Sequence, residues 1–382
     1  MFLDDPAPWL SYESDRKQGL RVLLCGTWDF TGPNPVGENP GGASLNLSTD
    51  DALTEIATGF LAVCPDADIV RVPFGGGETL QASLSNKPVW EFSQGRRESS
   101  SAGVARELLE AMEKLEGEEA ASPELVLLEG SHGWGMDLGL GFVRTLSGDY
   151  ELTWASPNSW IHDALAAVNE KINGLPLLYL SSTGRQMLGA GSIVDVDPLM
   201  QMHTPRYWQD LAKQIGLPGT ENPQAAAEHW GQQLAEYAAE RPEDYFPKEF
   251  AQIPSPSTDP RYRRGGGGGG GTAGLLSAFG VAICDTGDVL YHLTGMTQHL
   301  RNKDLIIVVE PYVDAGCLME STLPVVSAAA LRWGIPVVAA TARATIGAHE
   351  LSSWHLHGVS QLKRGRDLVD LGRRLGQTWG TL

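Results

Sequence analysis

Seven consecutive glycines, Gly265 to Gly271, run into Thr272-Ala273-Gly274 and an apolar segment of helical character. Glycine has no Cβ, so such a stretch can take positive φ and come close to a ligand. N–H groups at the head of a helix favour an anion such as phosphate. Gly265, Gly268, Gly271, Thr272 and Gly274 are the candidates for that contact. Arg264, with Arg263 beside it, could clamp the same phosphate. The plainer reading is a flexible linker preceded by the loop-like PSPSTDPRYRR, with both arginines as solvated charge. Taken alone the tract fits the linker better, because it matches no phosphate-loop signature.

Carboxylates form the second set. Glu310 and Asp314 follow the apolar run Asp304–Val309, spaced so that both could face one cleft. A carboxylate there can take a proton from a hydroxyl or hold a cation, and Asp314 is the better candidate. Asp314 fits a helix cap equally well. Asp137, ahead of Gly139 and Gly141, is the next candidate, again with a cap as its alternative. Glu78 follows Gly75-Gly76-Gly77 and could hold a metal or a substrate hydroxyl, or close a capping box. His132 is a lone loop histidine, and His355 and His357 stand two apart with no further metal ligands identifiable. There is no Walker A pattern, protein-kinase signature, GxSxG or HExxH.

These residues sit in loops after apolar runs, so the runs must position them. Arg21–Cys25, Ile69–Pro73, Leu125–Leu128, Leu175–Leu180, Asp304–Val309, Pro336–Ala340 and Val359–Ser360 read as strands. Ser48 opens a helix that keeps apolar spacing through Leu53, Ile56 and Phe60. Further helices are read over 104–115, from 138, within 205–250, over 274–283, 285–300 and 321–333, and from 363. Residues 85–100 read as a connector. The order predicts an α/β fold in which a Rossmann-like parallel sheet is built from both chain ends. That domain comprises residues 1–85 together with 285–382. A second α/β domain, residues 86–284, is inserted between them and carries the glycine-rich loop.

Composition narrows the partners. The 382 residues are 42% hydrophobic and 20% charged, as in globular proteins. A net charge of −19 argues against nucleic acid or an anionic membrane as partner. Four scattered cysteines, Cys25, Cys64, Cys284 and Cys317, have no metal-ligand spacing and fit reduced thiols. No signal peptide and no apolar run of about 18 residues is seen, so a cytoplasmic protein is expected. Self-association is left open.

Five blocks, in order, resemble the type I glycerate kinase family. Ser48 to Thr79 resembles its first helix and second strand, which end in Ala-Asp-Gly-Gly-Glu-Gly-Thr. Ser99 to Leu108 resembles its Ser-Arg-Gly-Thr-Gly-Glu helix entry. Leu127 to Gly148 resembles its Gly-Gly-Ser…Asp-Gly-Gly-Ala-Gly loop. The glycine tract with TAGLLSAFG resembles Gly-Ala-Gly-Ala-Ala-Gly-Gly and its helix. Asp304 to Ala340 resembles the strand carrying Gly-Glu-Gly-Arg-Ile-Asp and the strand after it.

The resemblance implies two α/β domains and a reaction of ATP with glycerate, giving phosphoglycerate and ADP with Mg²⁺ assisting. It implies Asp314, Glu310 and Asp137 as catalytic, with Asp314 and Asp137 on the metal. Gly76, Gly77, Glu78 and Ser131 would meet the hydroxy-acid substrate, and the glycine tract becomes a nucleotide phosphate loop. There are departures. Gly75 stands where the family has an aspartate, and Ser181 to Gly184 lack an aspartate and an asparagine. Pro311 removes a backbone donor. They support the alternative of a catalytically impaired paralogue that binds a nucleotide or small acid in a regulatory role.

Overall fold

The computed structural model describes residues 19–28, 47–84, 90–94, 100–117, 125–130, 137–189, 192–193, 223–240, 259–313 and 322–381. Its strands are β1 (Arg21–Gly26), β2 (Asp68–Pro73), β3 (Trp90–Gln94), β4 (Val126–Gly130), β5 (Leu177–Ser181), β6 (Ala282–Asp285), β7 (Leu305–Val313), β8 (Val337–Ala344) and β9 (Gly358–Gln361). They form two sheets, ordered β2-β1-β7-β8-β9 and β3-β4-β5-β6. Every pairing is parallel. The first sheet draws its strands from both ends of the chain and the second from the middle. Central strands such as Leu305–Val313 are buried almost throughout, as parallel strands covered on both faces must be.

Alternation along the strands divides the core into three layers. Val22, Leu24, Leu305, Ile307 and Val309 pack against helices Thr49–Leu61 and Leu368–Trp379. Leu23, Cys25, Ile306 and Val308 face the other way. They share one cluster with Leu127, Leu178, Leu180, Ala282 and Cys284 of the second sheet, so that layer is common to both sheets. The outer face of the second sheet, with Val126, Leu128 and Tyr179, is covered by helices that include Leu140–Ser147, Asn158–Ile172 and Thr272–Ala278.

Local chemistry explains the boundaries. Ser48 caps its helix by accepting from the Asp51 N–H at 3.2 Å. Asp285 caps Thr286–Leu293 by accepting from Gly287 and Asp288. Pro311 lies inside β7, which runs on to Val313, past the Val309 boundary read from the sequence. The strand tolerates it because β1 stops at Gly26, opposite Val309, and the register with β8 passes from Glu310 to Tyr312.

Several elements differ from the sequence reading. Residues 85–100 contain the strand Trp90–Gln94. The helix read over 274–283 ends at Ala278, and Ala282–Asp285 is a strand. The helix read over 285–300 divides at Gly295, which has φ 66. Helix Asn158–Ile172 lies where no element was read. No helix among the described residues is long and apolar enough to cross a membrane.

Candidate active site

Open α/β sheets bind ligands at the carboxyl ends of their strands. Four segments meet at those ends: Gly75–Gly77 after β2, Glu129–Gly130 closing β4, Ser181–Ser182 at the end of β5, and the glycine tract. Successive side chains of a strand point to opposite faces. Glu129, in phase with Leu127, therefore faces the layer common to both sheets, and Gly130, in phase with Leu128, faces the outer layer.

Glu129 is the join on the first side. It is 1% exposed, and its Oε2 accepts from the Gly77 N–H at 3.0 Å. Its Oε1 accepts from Ser182 Oγ at 3.0 Å, and Ser182 Oγ lies 3.1 Å from Thr286 Oγ1. A Cβ on Gly76 would stand 2.5 Å from Oε1, so glycine there leaves room for the carboxylate. Below this loop, Thr79 Oγ1 bonds with Thr27 Oγ1 at 2.6 Å and Thr49 Oγ1 at 2.7 Å, a buried hydroxyl chain at the ends of β1 and β2. Glu78 lies in the turn Gly77–Thr79.

The glycine tract is the join on the second side. All seven residues are buried, so the tract is packed structure and not an extended linker. Gly269, Gly270 and Gly271 have φ 57, 63 and 98, three successive left-handed residues. The tract's own donors hold much of it in place. Gly266 N–H donates to Arg263 O, Gly267 to Arg185 O, Gly268 to Gly265 O, and Gly271 to Gly267 O. Gly274 N–H reaches back to Gly266 O at 2.8 Å. Ser181 Oγ donates to the Gly265 carbonyl at 2.8 Å and Leu138 N–H to that of Gly270 at 3.0 Å. Thr272 Oγ1 donates to Gly269 O at 2.7 Å.

Tyr179 underlies this join. It is 1% exposed, and its Oη has no hydrogen-bond partner among the described residues. Burial, with the charge of Glu129 adding to it, pushes its pKa well above the ordinary tyrosine value.

Asp137 is 1% exposed and acts as a double cap. Oδ2 accepts from Ser100 Oγ, Ser101 N, Ser101 Oγ and Gly141 N, at 2.7 to 3.1 Å. Oδ1 accepts from Gly139 N at 3.1 Å. These bonds tie the starts of helices Ala102–Gly117 and Leu140–Ser147 together, beside the Leu138 bond to the tract. Burial raises its pKa, while the serine and backbone donors pull the other way.

Glu310 sits within β7, 6% exposed, and accepts from Thr322 Oγ1. Glu310, in phase with Ile306 and Val308, faces the common layer, as Glu129 does, and burial together with its charge pushes the Cys25 thiol upward. Arg264 is exposed, whereas Arg263 is half-buried and burial lowers its pKa. Asp314, Ser131 and His132 lie outside the described residues. His357 Nδ1 accepts from the Val337 N–H at 3.2 Å, a sheet contact. Among the described residues no three His, Cys, Asp or Glu side chains gather as a metal cluster.

The structure thus brings Gly76 and Gly77 to one side of the β4–β5 ends, and Gly265, Gly268, Gly271 and Thr272 to the other. Sequence reasoning missed Glu129, Ser182, Thr286 and Tyr179. The available signal for Glu129 was a single charged residue closing the run Val126–Gly130, all of it buried.

Residues 222–371 match the model of the Glycerate kinase family. That span holds the glycine tract, Glu310 and β6 to β9. The crystal structure described as "putative glycerate kinase 2 from Salmonella typhimurium LT2" shares the fold, with a TM-score of 0.58 at 13% identity. The superposition covers 95% of this chain and 99% of that chain. No curated protein matches the sequence.

Proposed function

We propose that this chain, whose family match and fold support membership of the glycerate kinase family, is a glycerate kinase-type phosphotransferase. It passes a phosphoryl group from ATP to glycerate, giving phosphoglycerate and ADP. The observation that carries this reading is the family match across the glycine tract and Glu310. The meeting of two glycine-rich loops at the carboxyl ends of adjacent strands supports it.

Phosphoryl transfer needs positioning, neutralisation of developing charge and a group that orients the acceptor hydroxyl. ATP with Mg²⁺ suits the residues present. Mg²⁺ on a nucleotide takes one or two carboxylates and keeps water, so a three-carboxylate cluster is not required. Asp314 would hold that ion, and Asp314 with Glu310 would orient or take the hydroxyl proton. When bound, ATP supplies the phosphoryl group and Mg²⁺ spreads its charge. The tract from Gly265 to Gly274 would hold the phosphates, with Arg264 as a clamp for their charge. Gly76, Gly77, Glu78 and Ser131 hold the hydroxy acid. Asp137, whose oxygens already take five donors, positions the tract through Leu138. The reading carries with it the division into residues 1–85 with 285–382 and residues 86–284.

The test is ADP release measured across a panel of hydroxy acids. Release that depends on glycerate and disappears in Asp314→Asn is expected. Absence of turnover on every acid contradicts the proposal.

A further inference from the structure

We infer that the Tyr179 hydroxyl donates a hydrogen bond to a phosphate oxygen of the bound nucleotide, an inference that rests on the kinase reading above. Tyr179 is 1% exposed, and its Oη is among the few buried side-chain atoms of the described residues with no partner. His162 Nε2 and Gln233 Oε1 share that condition but lie on the helices Asn158–Ile172 and Pro223–Ala239. Tyr179 instead stands in β5, two residues before Ser181 Oγ reaches the glycine tract. A buried hydroxyl without a partner destabilises the fold that holds it. Phenylalanine would fill the same volume without that penalty, so the oxygen needs a partner that arrives with a ligand.

The surroundings say which ligand. A Cβ on Gly130 would stand 2.3 Å from Tyr179 Oη and 2.4 Å from Gly269 Cα. A Cβ on Gly268 would stand 3.2 Å from the Tyr179 ring at Cε1. The hydroxyl is therefore roofed by the bare backbone of Gly130, Gly268 and Gly269. Gly269 in this roof and the two residues after it have positive φ, a conformation glycine takes without a Cβ clash. An anion seated against Gly268 and Gly269 would lie within reach of Oη. Burial and the charge of Glu129 keep the phenol protonated at neutral pH, so the oxygen has a proton to give. A charged phosphate oxygen is the acceptor that gains most from a neutral donor in a dry site.

The experiment compares full-length wild type with Tyr179→Phe by ATP calorimetry and by ligand-free thermal unfolding. The variant is expected to unfold at the same temperature as wild type or higher, and to bind ATP roughly tenfold or more weakly. Earlier unfolding of the variant would mean that the hydroxyl already has an internal partner, and would overturn the inference. Equal ATP affinity in the two proteins would overturn it while leaving the kinase reading intact. Failure of the wild type to bind ATP would remove both.

Discussion

The two glycine-rich loops use glycine for different purposes. In Gly75–Gly77 the missing side chains make room for side chains from elsewhere. A Cβ on Gly75 would meet Thr27, and one on Gly76 would meet Glu129 Oε1 and Ser182 Oγ. In Gly265–Gly271 they make room for backbone as well: a Cβ on Gly266 would meet Arg263 O and one on Gly271 would meet Leu138 Cα, while Gly265 and Gly268 lie against Ser181. The tract is tied by its own N–H groups and by Ser181, and Gly130 of β4 lies against Gly269. A long glycine run is thus a close-packed element here, and a short one is a socket for a carboxylate. An added Cβ meets main-chain atoms inside 3 Å at Gly266, Gly267 and Gly271 of the first, whereas the second can yield where the neighbour is the end of a flexible side chain.

That contrast can be broken by adding one methyl group to each side. Gly130→Ala drives Cβ into Gly269 Cα, which cannot swing away, and should destabilise by about 3 kcal/mol. Gly76→Ala meets only Glu129 Oε1 and Ser182 Oγ inside 3 Å and should cost about 1 kcal/mol. Urea unfolding of both variants measures the difference, and equal losses would end the distinction.

The two buried carboxylates extend it. Asp137→Asn places an amide donor against a group of N–H and O–H donors, so a loss of about 2–3 kcal/mol is expected in urea unfolding. Glu129→Gln keeps an acceptor for one of two donors and should cost about 1–2 kcal/mol. Its larger effect should fall on the affinity for the hydroxy acid, because Gly77 loses part of its anchor. An Asp137 variant that keeps full stability but loses turnover would assign that residue to the chemistry and not to the caps.

Much of the frame was legible in the chain, for a physical reason. Strands buried on both faces need continuous apolar runs, and Arg21–Cys25 and Asp304–Val309 supply them. Ala282–Asp285 is four residues long and follows an apolar helix, so periodicity merged the two. Trp90–Gln94 was hidden among polar residues. The site was less legible because its contacts join residues distant in sequence. Ser182 meets Thr286 across 104 positions, and Glu129 meets Gly77 across 52. Asp137 could be read as cap or catalyst from its glycine spacing. Ser100 and Ser101, ahead of Ala102, supply donors to it, and only the fold brings them there.

The smallest expected effect lies at the entry to the tract. Burial pushes the Asp259 carboxyl up, but hydrogen bonds and charge from Arg261 outweigh it and hold the carboxyl below its usual range. A depressed folded value gives stability that is present above the unfolded carboxylate value and is lost as pH falls through the folded one. The side chains are 23% and 27% exposed, so the pair should contribute about 0.5 kcal/mol. Wild type and Arg261→Ala should differ by that amount above the usual carboxylate range and converge as pH falls below it. A constant difference across that range would show that Arg261 acts through packing alone.

The most direct measurement follows the phosphorus. Full-length protein with ATP, Mg²⁺ and glycerate, observed by ³¹P NMR, should convert the γ-phosphoryl signal into a phosphate monoester of glycerate as ADP accumulates. A γ-phosphoryl signal that stays in ATP, or that leaves only as inorganic phosphate whether or not glycerate is present, would contradict a glycerate kinase-type phosphotransferase.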